Sequence, residues 1–236
     1  MKQIIAMGGG GFSMEPENLL LDQYILKQSG KPKPKVCFVP TASGDSVSYI
    51  RRFYRAMKSL DGEPSRLTLF PPTTADLEDY VMEKDILYIG GGNTRNLIVL
   101  WREWGLDQII RKAWENGMIL AGISAGAICW FERAVTDSIP GQISAIDGLG
   151  FLPGSCCPHF DGETDRRPGF HQLLLDGVIG DGFAIDDGAA LHFNGTQLKR
   201  VVSSRPYAKA YALRRKGNQV EEASLSTEYL GEKAFD

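Results

Sequence analysis

Apolar residues are spaced in two different patterns along the first half of the chain. Short, mostly apolar runs bounded by Gly, Pro or Lys are typical of parallel strands buried on both faces. Such runs occupy residues 3–7, 36–39, 66–70, 86–89 and 118–121. The stretches between them carry apolar residues at helical spacing, as at Leu19, Leu20, Tyr24 and Ile25, and again at Leu97, Ile98, Leu100 and Trp101. Alternating strands and helices predict right-handed βαβ crossovers and a parallel sheet with helices on both faces.

The second half of the chain has shorter segments separated by turn signals. From Phe183 onward, apolar stretches alternate with Gly188, Asn194-Gly195 and Gly217-Asn218, which favour tight turns. This pattern predicts antiparallel strands added to the parallel sheet. Since no linker or low-complexity stretch separates the two halves, we expect a single α/β domain over residues 1–236.

Composition narrows the class of protein. The 26 Lys and Arg residues against 29 Asp and Glu give a formal charge of −3, without the basic surplus of a nucleic-acid-binding surface. The apolar run at residues 3–7 is too short for a signal peptide or a membrane span. The four cysteines form no CxxC pair, as expected of reduced thiols. We therefore expect a cytoplasmic protein without a nucleic-acid or membrane partner.

Three glycine-rich loops follow predicted strands, at the rim where open parallel sheets carry their functional residues. They span residues 8–11 (GGGG), 90–94 (GGGNT) and 122–126 (GISAG). The first loop lacks the third glycine of a dinucleotide-binding fingerprint, because that position falls on Ser13. We interpret it as a tight turn, and no nucleotide cofactor is expected.

The GISAG loop has the form of a nucleophile elbow. Ser124 follows the apolar run 118–121 and precedes a helical run over 125–131, which is the strand-turn-helix setting of an exposed serine nucleophile. Glycines on both sides avoid collisions across so sharp a turn. The alternative interpretation is a serine that only caps the following helix.

A serine nucleophile needs a base, and the chain has three histidines. His159 follows an apolar run that ends at a proline, so it can reach the rim. His171 lies in an apparent helix, 170–175, and His192 alternates with apolar neighbours in a predicted strand. We expect His159 to be the base.

The acid that orients the base is less constrained by the sequence. Asp137 is preferred because it lies just beyond the elbow helix. The alternatives left open are Glu132, Asp161 and the pair Asp186-Asp187.

Two backbone N–H groups are needed to stabilise an oxyanion. The residue after the nucleophile, Ala125, supplies one, and the GGGNT loop supplies the other from Gly91 or Gly92, with Gly91 preferred. We expect Gly92 and Asn93 to bind substrate, and Asn93 or Thr94 to cap the helix that follows.

Three ordered motifs carry a resemblance to a known family. YIGGGNT at 88–94, GISAGA at 122–127 and CPHFDGE at 157–163 resemble, in order and spacing, the peptidase E family of aspartyl dipeptidases, with cyanophycinase as a more distant relative. The resemblance implies a flavodoxin-like or class I glutamine-amidotransferase-like sheet. It also implies a serine peptidase that cleaves after an N-terminal aspartate in short peptides, without a metal or organic cofactor.

The same resemblance assigns roles to individual residues. Ser124 would be the nucleophile, His159 the base and Asp137 the acid. An arginine shortly after the Gly-Glu-Thr triplet at 162–164 would bind the substrate aspartate, and Arg166 and Arg167 stand near that position. The alternative is that both arginines are solvated at a helix start.

Two rival functions remain at this point. One is an esterase or amidase with the same Ser-His chemistry, and the other is a non-catalytic protein that binds a small anion on the glycine-rich rim. The sequence leaves a homodimer open as the assembly.

Overall fold

The computed structural model describes residues 2–231. The strands are β1 (Gln3–Met7), β2 (Lys35–Val39), β3 (Glu63–Arg66), β4 (Ile86–Ile89), β5 (Ile119–Ile123), β6 (Phe131–Ile139), β7 (Gln142–Asp147), β8 (Leu152–Cys157), β9 (Gly182–Ile185), β10 (Ala189–Asn194), β11 (Gln197–Ser203), β12 (Ala210–Lys216), β13 (Gln219–Ser224) and β14 (Thr227–Tyr229). The helices are α1 (Gly11–Met14), α2 (Leu20–Lys27), α3 (Val47–Ser59), α4 (Leu77–Met82), α5 (Thr94–Glu103), α6 (Leu106–Glu115), α7 (Ala125–Ile128) and α8 (Arg166–Leu175), with a 3₁₀ turn at Thr41–Ser43. No helix within residues 2–231 is long and apolar enough to cross a bilayer.

The first sheet has eight strands in the order β14-β11-β10-β1-β5-β4-β2-β3. Its strands β1, β5, β4, β2 and β3 are parallel, so the predicted parallel sheet is confirmed. β10 pairs antiparallel with β1, and β11 antiparallel with β10. The order of the parallel strands differs from the 2-1-3-4-5 order of flavodoxin, so the flavodoxin-like part of the expectation is not supported.

Helices cover both faces of this sheet, as the sequence predicts. Alternate residues of β1 point to opposite sides: Ile4 packs in the cluster that contains Trp101 of α5, and Ile5 in the cluster that contains Phe53 of α3. The alternation is the ordinary consequence of the two-residue period of a strand. Both clusters are buried, which explains the continuous apolar runs.

A second sheet, with six strands in the order β13-β12-β9-β8-β6-β7, corrects the prediction that the later strands simply extend the first sheet. Its β8 and β9 are parallel, whereas β12 pairs antiparallel with β9. Phe193 of β10 contacts Phe131 and Phe183 of the second sheet, both with ring centroids 5.8 Å away. On the other side, α8 packs through Phe170. The second sheet is therefore a layer between α8 and the main core.

Two local predictions were wrong. The strand predicted at 66–70 is β3 at Glu63–Arg66, and the apolar residues beyond it belong to a turn, where Asp45 Oδ2 accepts hydrogen bonds from Leu69 N and Phe70 N. The helix after Ser124 ends at Ile128, and the chain re-enters strand structure at Phe131. In both places buried apolar residues lie in a turn, and their sequence is as apolar as that of a buried strand or helix.

Candidate active site

Ser124 stands at a sharp, strained turn between β5 and α7. Its φ of 53° and ψ of −114° place a non-glycine residue in a sparsely populated conformation. The Ser124 N–H donates to Met7 O over 3.0 Å, which fixes the turn to the end of β1. The structure therefore has the backbone conformation that an elbow requires, with Ser124 half-buried at the rim.

Glycines around the turn are required by close packing. A Cβ on Gly122 would overlap the Gly126 carbonyl, and a Cβ on Gly126 would overlap Ile89 O. A Cβ on Gly91 would lie 3.3 Å from Ser124 Cβ, so the GGGNT loop borders Ser124 directly. The second and third glycine-rich loops therefore lie side by side.

His159 comes from the second sheet and is paired with Asp187. It follows β8, adopts a φ of 53°, and donates from Nδ1 to Asp187 Oδ1 across 2.6 Å. The two side chains are only 13% and 9% exposed, so water screens the pair weakly. An ionised carboxylate can only accept, so the proton is on Nδ1 and Nε2 is left as the acceptor that a general base needs.

The carboxylate of Asp187 fits between two glycines. A Cβ on Gly9 or on Gly162 would overlap one of the carboxylate oxygens. The Asp187 N–H donates to Asp161 Oδ1 over 2.8 Å, which holds the backbone in place. Asp161, one of the open alternatives, therefore supports Asp187 instead of contacting His159.

Within residues 2–231, Asp137 makes no hydrogen bond or ion pair to His159. It lies on β6, and its carboxylate pairs with Arg166 Nη2 at 3.0 Å. Glu132 is also engaged elsewhere, accepting from Gly154 N over 2.8 Å. The expectation that Asp137 contacts the histidine is corrected by this geometry, because β6 turns its side chain toward α8.

Ser124 and the His159–Asp187 pair are both linked to the end of β1 and the loop that follows it. Ser124 is bonded to Met7, while Gly9 forms a β-bridge with Asp187 and accepts a hydrogen bond from Gly188 N. In residues 2–231, Ser124 Oγ makes no hydrogen bond to His159. Such a bond is often long or misaligned in free enzymes and tightens when substrate binds.

The N–H groups of the GGGNT loop do not all point the same way. Gly91 N donates to the Tyr49 hydroxyl over 3.2 Å, so the preferred donor is already occupied. Among the described residues, the N–H groups of Gly92 and Ala125 have no acceptor. Gly92 has a φ of 138°, and a Cβ there would overlap Ala42 O, so only glycine fits.

Asn93 acts as the helix cap that the sequence predicts. Its Oδ1 accepts from Asn96 N over 3.0 Å, and its Nδ2 donates to Ser138 O over 3.0 Å. Because both ends of the carboxamide are used, its side chain links α5 to β6 and is not free for substrate.

Arg166 is buried and Arg167 is partly exposed, and each of them pairs with a protein carboxylate. The Arg166 side chain is 3% exposed and pairs with Glu163 at 2.6 Å as well as with Asp137. Arg167 pairs with Glu222, and its guanidinium carbon lies 4.2 Å from the ring centroid of Phe160. A substrate carboxylate would have to displace a protein carboxylate from Arg166, whereas within residues 2–231 Arg167 pairs with a carboxylate through Nη1 alone.

A cleft of about 690 Å³ opens beside Gly162, along the start of α8 and the β6–β7 turn. Its lining includes the carboxylates of Asp137, Glu163 and Asp165. Within residues 2–231, the arginine that pairs with the Asp137 and Glu163 carboxylates of this cleft is Arg166, which has no nitrogen left for a substrate.

A buried carboxyl group supports the loop at 8–11 from beneath. Asp22 accepts from Phe12 N and from the Tyr88 hydroxyl, each over 2.8 Å. Burial raises the pKa of Asp22 to about 7, although both hydrogen bonds lower it. Asp22 therefore titrates near neutral pH while holding α1, which begins at Gly11.

The other histidines lie away from Ser124. His192 is fully buried on β10 and bonded to the Tyr24 hydroxyl over 2.6 Å. Burial lowers the pKa of His192 to about 4, helped by the nearby charges of Lys199 and Arg200. His171 on α8 pairs with Glu222 at 3.0 Å. Among the described residues, no group of His, Cys, Asp and Glu side chains could hold a metal ion.

In the sequence, Asp187 is one of several candidate acids. A signal was available: Asp186-Asp187-Gly188 follows an apolar strand, and such a position also returns to the rim. Asp187 is 28 residues from His159 along the chain, and α8 and β9 lie between them. The contact could therefore not be predicted from the sequence.

Comparisons with known proteins agree with the fold and with the motifs. The model of peptidase family S51 matches residues 4–201. The uncharacterized peptidase YgaJ of Bacillus subtilis is 61% identical over 231 residues, which covers 98% of this chain and 100% of the relative. Peptidase E of Pasteurella multocida is 28% identical over 190 residues, covering 76% and 78%.

Solved structures show the same fold at lower identity. A peptidase from an acI-B1 Actinobacterium superposes with a TM-score of 0.66 at 22% identity, covering 96% of this chain and 97% of the other. A putative peptidase E from Listeria monocytogenes superposes with a TM-score of 0.57 at 18% identity, covering 96% of this chain and 100% of the other. With a family model over most of the chain and a full-length relative at 61% identity, the resemblance to peptidase E is confirmed, and the chain belongs to peptidase family S51.

Proposed function

We propose that this peptidase is a serine exopeptidase for short peptides, with Ser124 as nucleophile, His159 as general base and Asp187 as the orienting acid. The observation that carries the proposal is the His159–Asp187 hydrogen bond of 2.6 Å, placed across one loop from a serine in an elbow conformation. Asp187 takes the role that the sequence favoured for Asp137.

The chemistry follows from the free nitrogen of His159. Nε2 accepts the Ser124 proton as Oγ attacks the peptide carbonyl, and the resulting imidazolium is stabilised by Asp187. His159 then gives that proton to the leaving amine, which departs and leaves an acyl-enzyme. Water, deprotonated by the same nitrogen, releases the acid product and restores Ser124.

The oxyanion is held by two N–H groups that have no acceptor within residues 2–231. Ala125 N–H, at the start of α7, takes the role expected of it. Gly92 N–H replaces Gly91 N–H as the second donor, because the Gly91 group is bonded to Tyr49. Each such donor contributes roughly 10²–10³ to kcat in serine peptidases.

An N-terminal aspartate is the substrate preference that the family resemblance implies, and we carry it as part of the proposal. Arg166 gives it no support, because its guanidinium is buried and all three of its nitrogens have acceptors. Arg167 pairs with Glu222 but is 42% exposed, so recognition of the aspartate falls to Arg167 or to another cation, or the enzyme accepts other N-terminal residues.

The test compares purified wild-type protein with Ser124→Ala on Asp-Leu and Ala-Leu. We expect hydrolysis by the wild type and a loss of about 10³-fold or more in the variant. Undiminished hydrolysis by Ser124→Ala would exclude the serine mechanism. Equal kcat/KM for the two dipeptides would exclude the aspartyl preference and leave the mechanism intact.

The two rival functions are separated by the same protein samples. An esterase would turn over a simple aryl ester much faster than any dipeptide. A non-catalytic anion-binding protein would leave Ser124 unlabelled by a phosphonylating reagent. We expect labelling of the wild type at Ser124 and faster turnover of peptides than of the ester.

A further inference from the structure

Arg205 lies at the same rim as Ser124, beyond the residues that the family model matches. β10 is antiparallel to β1 and β11 is antiparallel to β10, so β11 runs in the direction of β1 and β5. Arg205 follows β11 by two residues. Three strand spacings separate β11 from β5, or roughly 14 Å, which an arginine and a dipeptide can span together.

The Arg205 side chain runs from β11 back toward β1. Its Cγ, Cδ and Nε atoms lie 2.8, 2.9 and 3.0 Å from the position of a Cβ on Gly188, which has a φ of 80°. Its Nε donates to Glu15 Oε1 over 2.6 Å, and the other oxygen of Glu15 lies 3.0 Å from the position of a Cβ on Gly10. The guanidinium is therefore next to the loop that carries Gly9 and borders Asp187.

The Arg205 side chain packs directly on Gly188, where the absence of a side chain leaves room for it. Any Cβ at position 188 would push Arg205 away, and Gly188 directly follows Asp187. Glu15 is itself held by the Ser204 hydroxyl over 3.0 Å. The ion pair between Glu15 and Arg205 thus fixes Nε on the side of the guanidinium that faces Glu15. It leaves the outer edge, formed by Nη1 and Nη2, available.

The outer edge has two unused donors. In residues 2–231, Nη1 and Nη2 of Arg205 have no hydrogen-bond or ion-pair partner, and the side chain is 39% exposed. Arg166 is the opposite case, because its Nε, Nη1 and Nη2 all have acceptors. Two parallel N–H groups with no partner match the geometry of a carboxylate.

We propose that Arg205 binds a carboxylate of the peptide substrate through Nη1 and Nη2. The inference rests on the proposed peptidase function. Two carboxylates have this chemistry: the C-terminal α-carboxylate of the leaving residue and the side chain of an N-terminal aspartate. The first is favoured, because His159 protonates the leaving amine and Arg205 stands beside the partner of His159.

The experiment measures discrimination between a carboxylate and its neutral amide. Wild type, Arg205→Gln and Arg205→Lys are assayed on Ala-Leu, Ala-Leu amide, Asp-Leu and Asn-Leu. The control is Arg200→Gln, since Arg200 lies on the same strand but pairs with Glu228 at 3.6 Å. Thermal melting checks that each variant is folded.

We expect Arg205→Gln to raise KM for Ala-Leu by about 10-fold to 100-fold with little change in kcat, as for the loss of a charge-assisted pair. KM for Ala-Leu amide should not change, and Arg205→Lys should retain part of the discrimination. If Arg205 binds the aspartyl side chain instead, the Asp-Leu to Asn-Leu ratio will collapse while the amide ratio stays.

An equal loss on all four substrates, or no loss on any, would overturn the proposal while leaving the serine mechanism intact. If the wild type cleaves none of them, the proposed function fails separately. Calorimetric titration of Ser124→Ala with Ala-Leu and with its amide then decides the role of Arg205. Tighter binding of the free carboxylate that disappears in Ser124→Ala/Arg205→Gln supports it, and equal binding refutes it.

Discussion

Replacing Asp187 by Asn tests the central feature of the proposed site. The substitution keeps the size of the side chain but removes its charge, and its amide can donate to His159 Nδ1. A donor at that position favours the tautomer with the proton on Nε2, which cannot accept the Ser124 proton. The control is Asp137→Asn, which removes the carboxylate that the sequence favoured.

The magnitude follows from the geometry of the pair. The nitrogen and oxygen are 2.6 Å apart and the side chains are 13% and 9% exposed, so an effective dielectric constant near 20 applies. With charge centres about 4 Å apart, the imidazolium loses about 4 kcal/mol of stabilisation, or roughly 10³ in rate. The wrong tautomer brings the expected loss in kcat/KM to between about 10³-fold and 10⁴-fold.

Asp137→Asn should cost far less. Asp137 is 57% exposed and contacts Arg166, so its removal is worth at most about 1 kcal/mol, or under about 10-fold. The assay is dipeptide hydrolysis by both variants, together with the rate of Ser124 phosphonylation and a thermal melt. The reasoning is refuted if Asp187→Asn stays within about 10-fold of wild type, or if Asp137→Asn has the larger effect.

Two further predictions concern residues that do not touch substrate. Gly162→Ala should lower peptidase activity by about 10²-fold or more without a change of charge, because the new Cβ would displace the Asp187 carboxylate. The matched control is Gly180→Ala, whose Cβ would have no neighbouring atom within 4 Å. Equal activities of the two variants would contradict the packing argument. Asp22→Asn tests the buried carboxyl group, whose raised pKa means that its stabilising contribution is lost as pH rises from about 4 to about 7. Urea unfolding should show the free energy of wild type falling relative to the variant by up to about 4 kcal/mol across that range, and a pH-independent difference would rule this out.

The parallel half of the fold could be predicted because its signals are local. The runs at 3–7 and 86–89 coincide with β1 and β4, since strands buried on both faces need continuous apolar sequence. The second sheet could not be predicted in this way. Its pairing of β8 with β6 and β9 joins segments that are distant in the chain, and short strands carry no mark of their partner.

The candidate site likewise has features that depend on local sequence and features that depend on long-range contacts. The strained turn at Ser124 could be predicted because an elbow is made within five consecutive residues, whereas the choice of His159 rests on the small number of histidines and stays a prediction. The carboxylate that contacts His159 depends on a long-range contact, so the sequence favoured Asp137, which lies nearer to the elbow along the chain than Asp187 does. Which glycine N–H is free was also hidden, because Tyr49, at the start of α3, decides it.

The proposed residues come from separate layers of the molecule. Ser124 follows β5 of the eight-stranded sheet, His159 follows β8 of the six-stranded sheet, and Asp187 lies on the connection from β9 to β10. On the proposed mechanism, catalysis requires the two sheets to be docked, and we expect partial unfolding that separates them to abolish turnover while most secondary structure persists. In a denaturant titration, peptidase activity should then be lost before the far-ultraviolet circular dichroism signal.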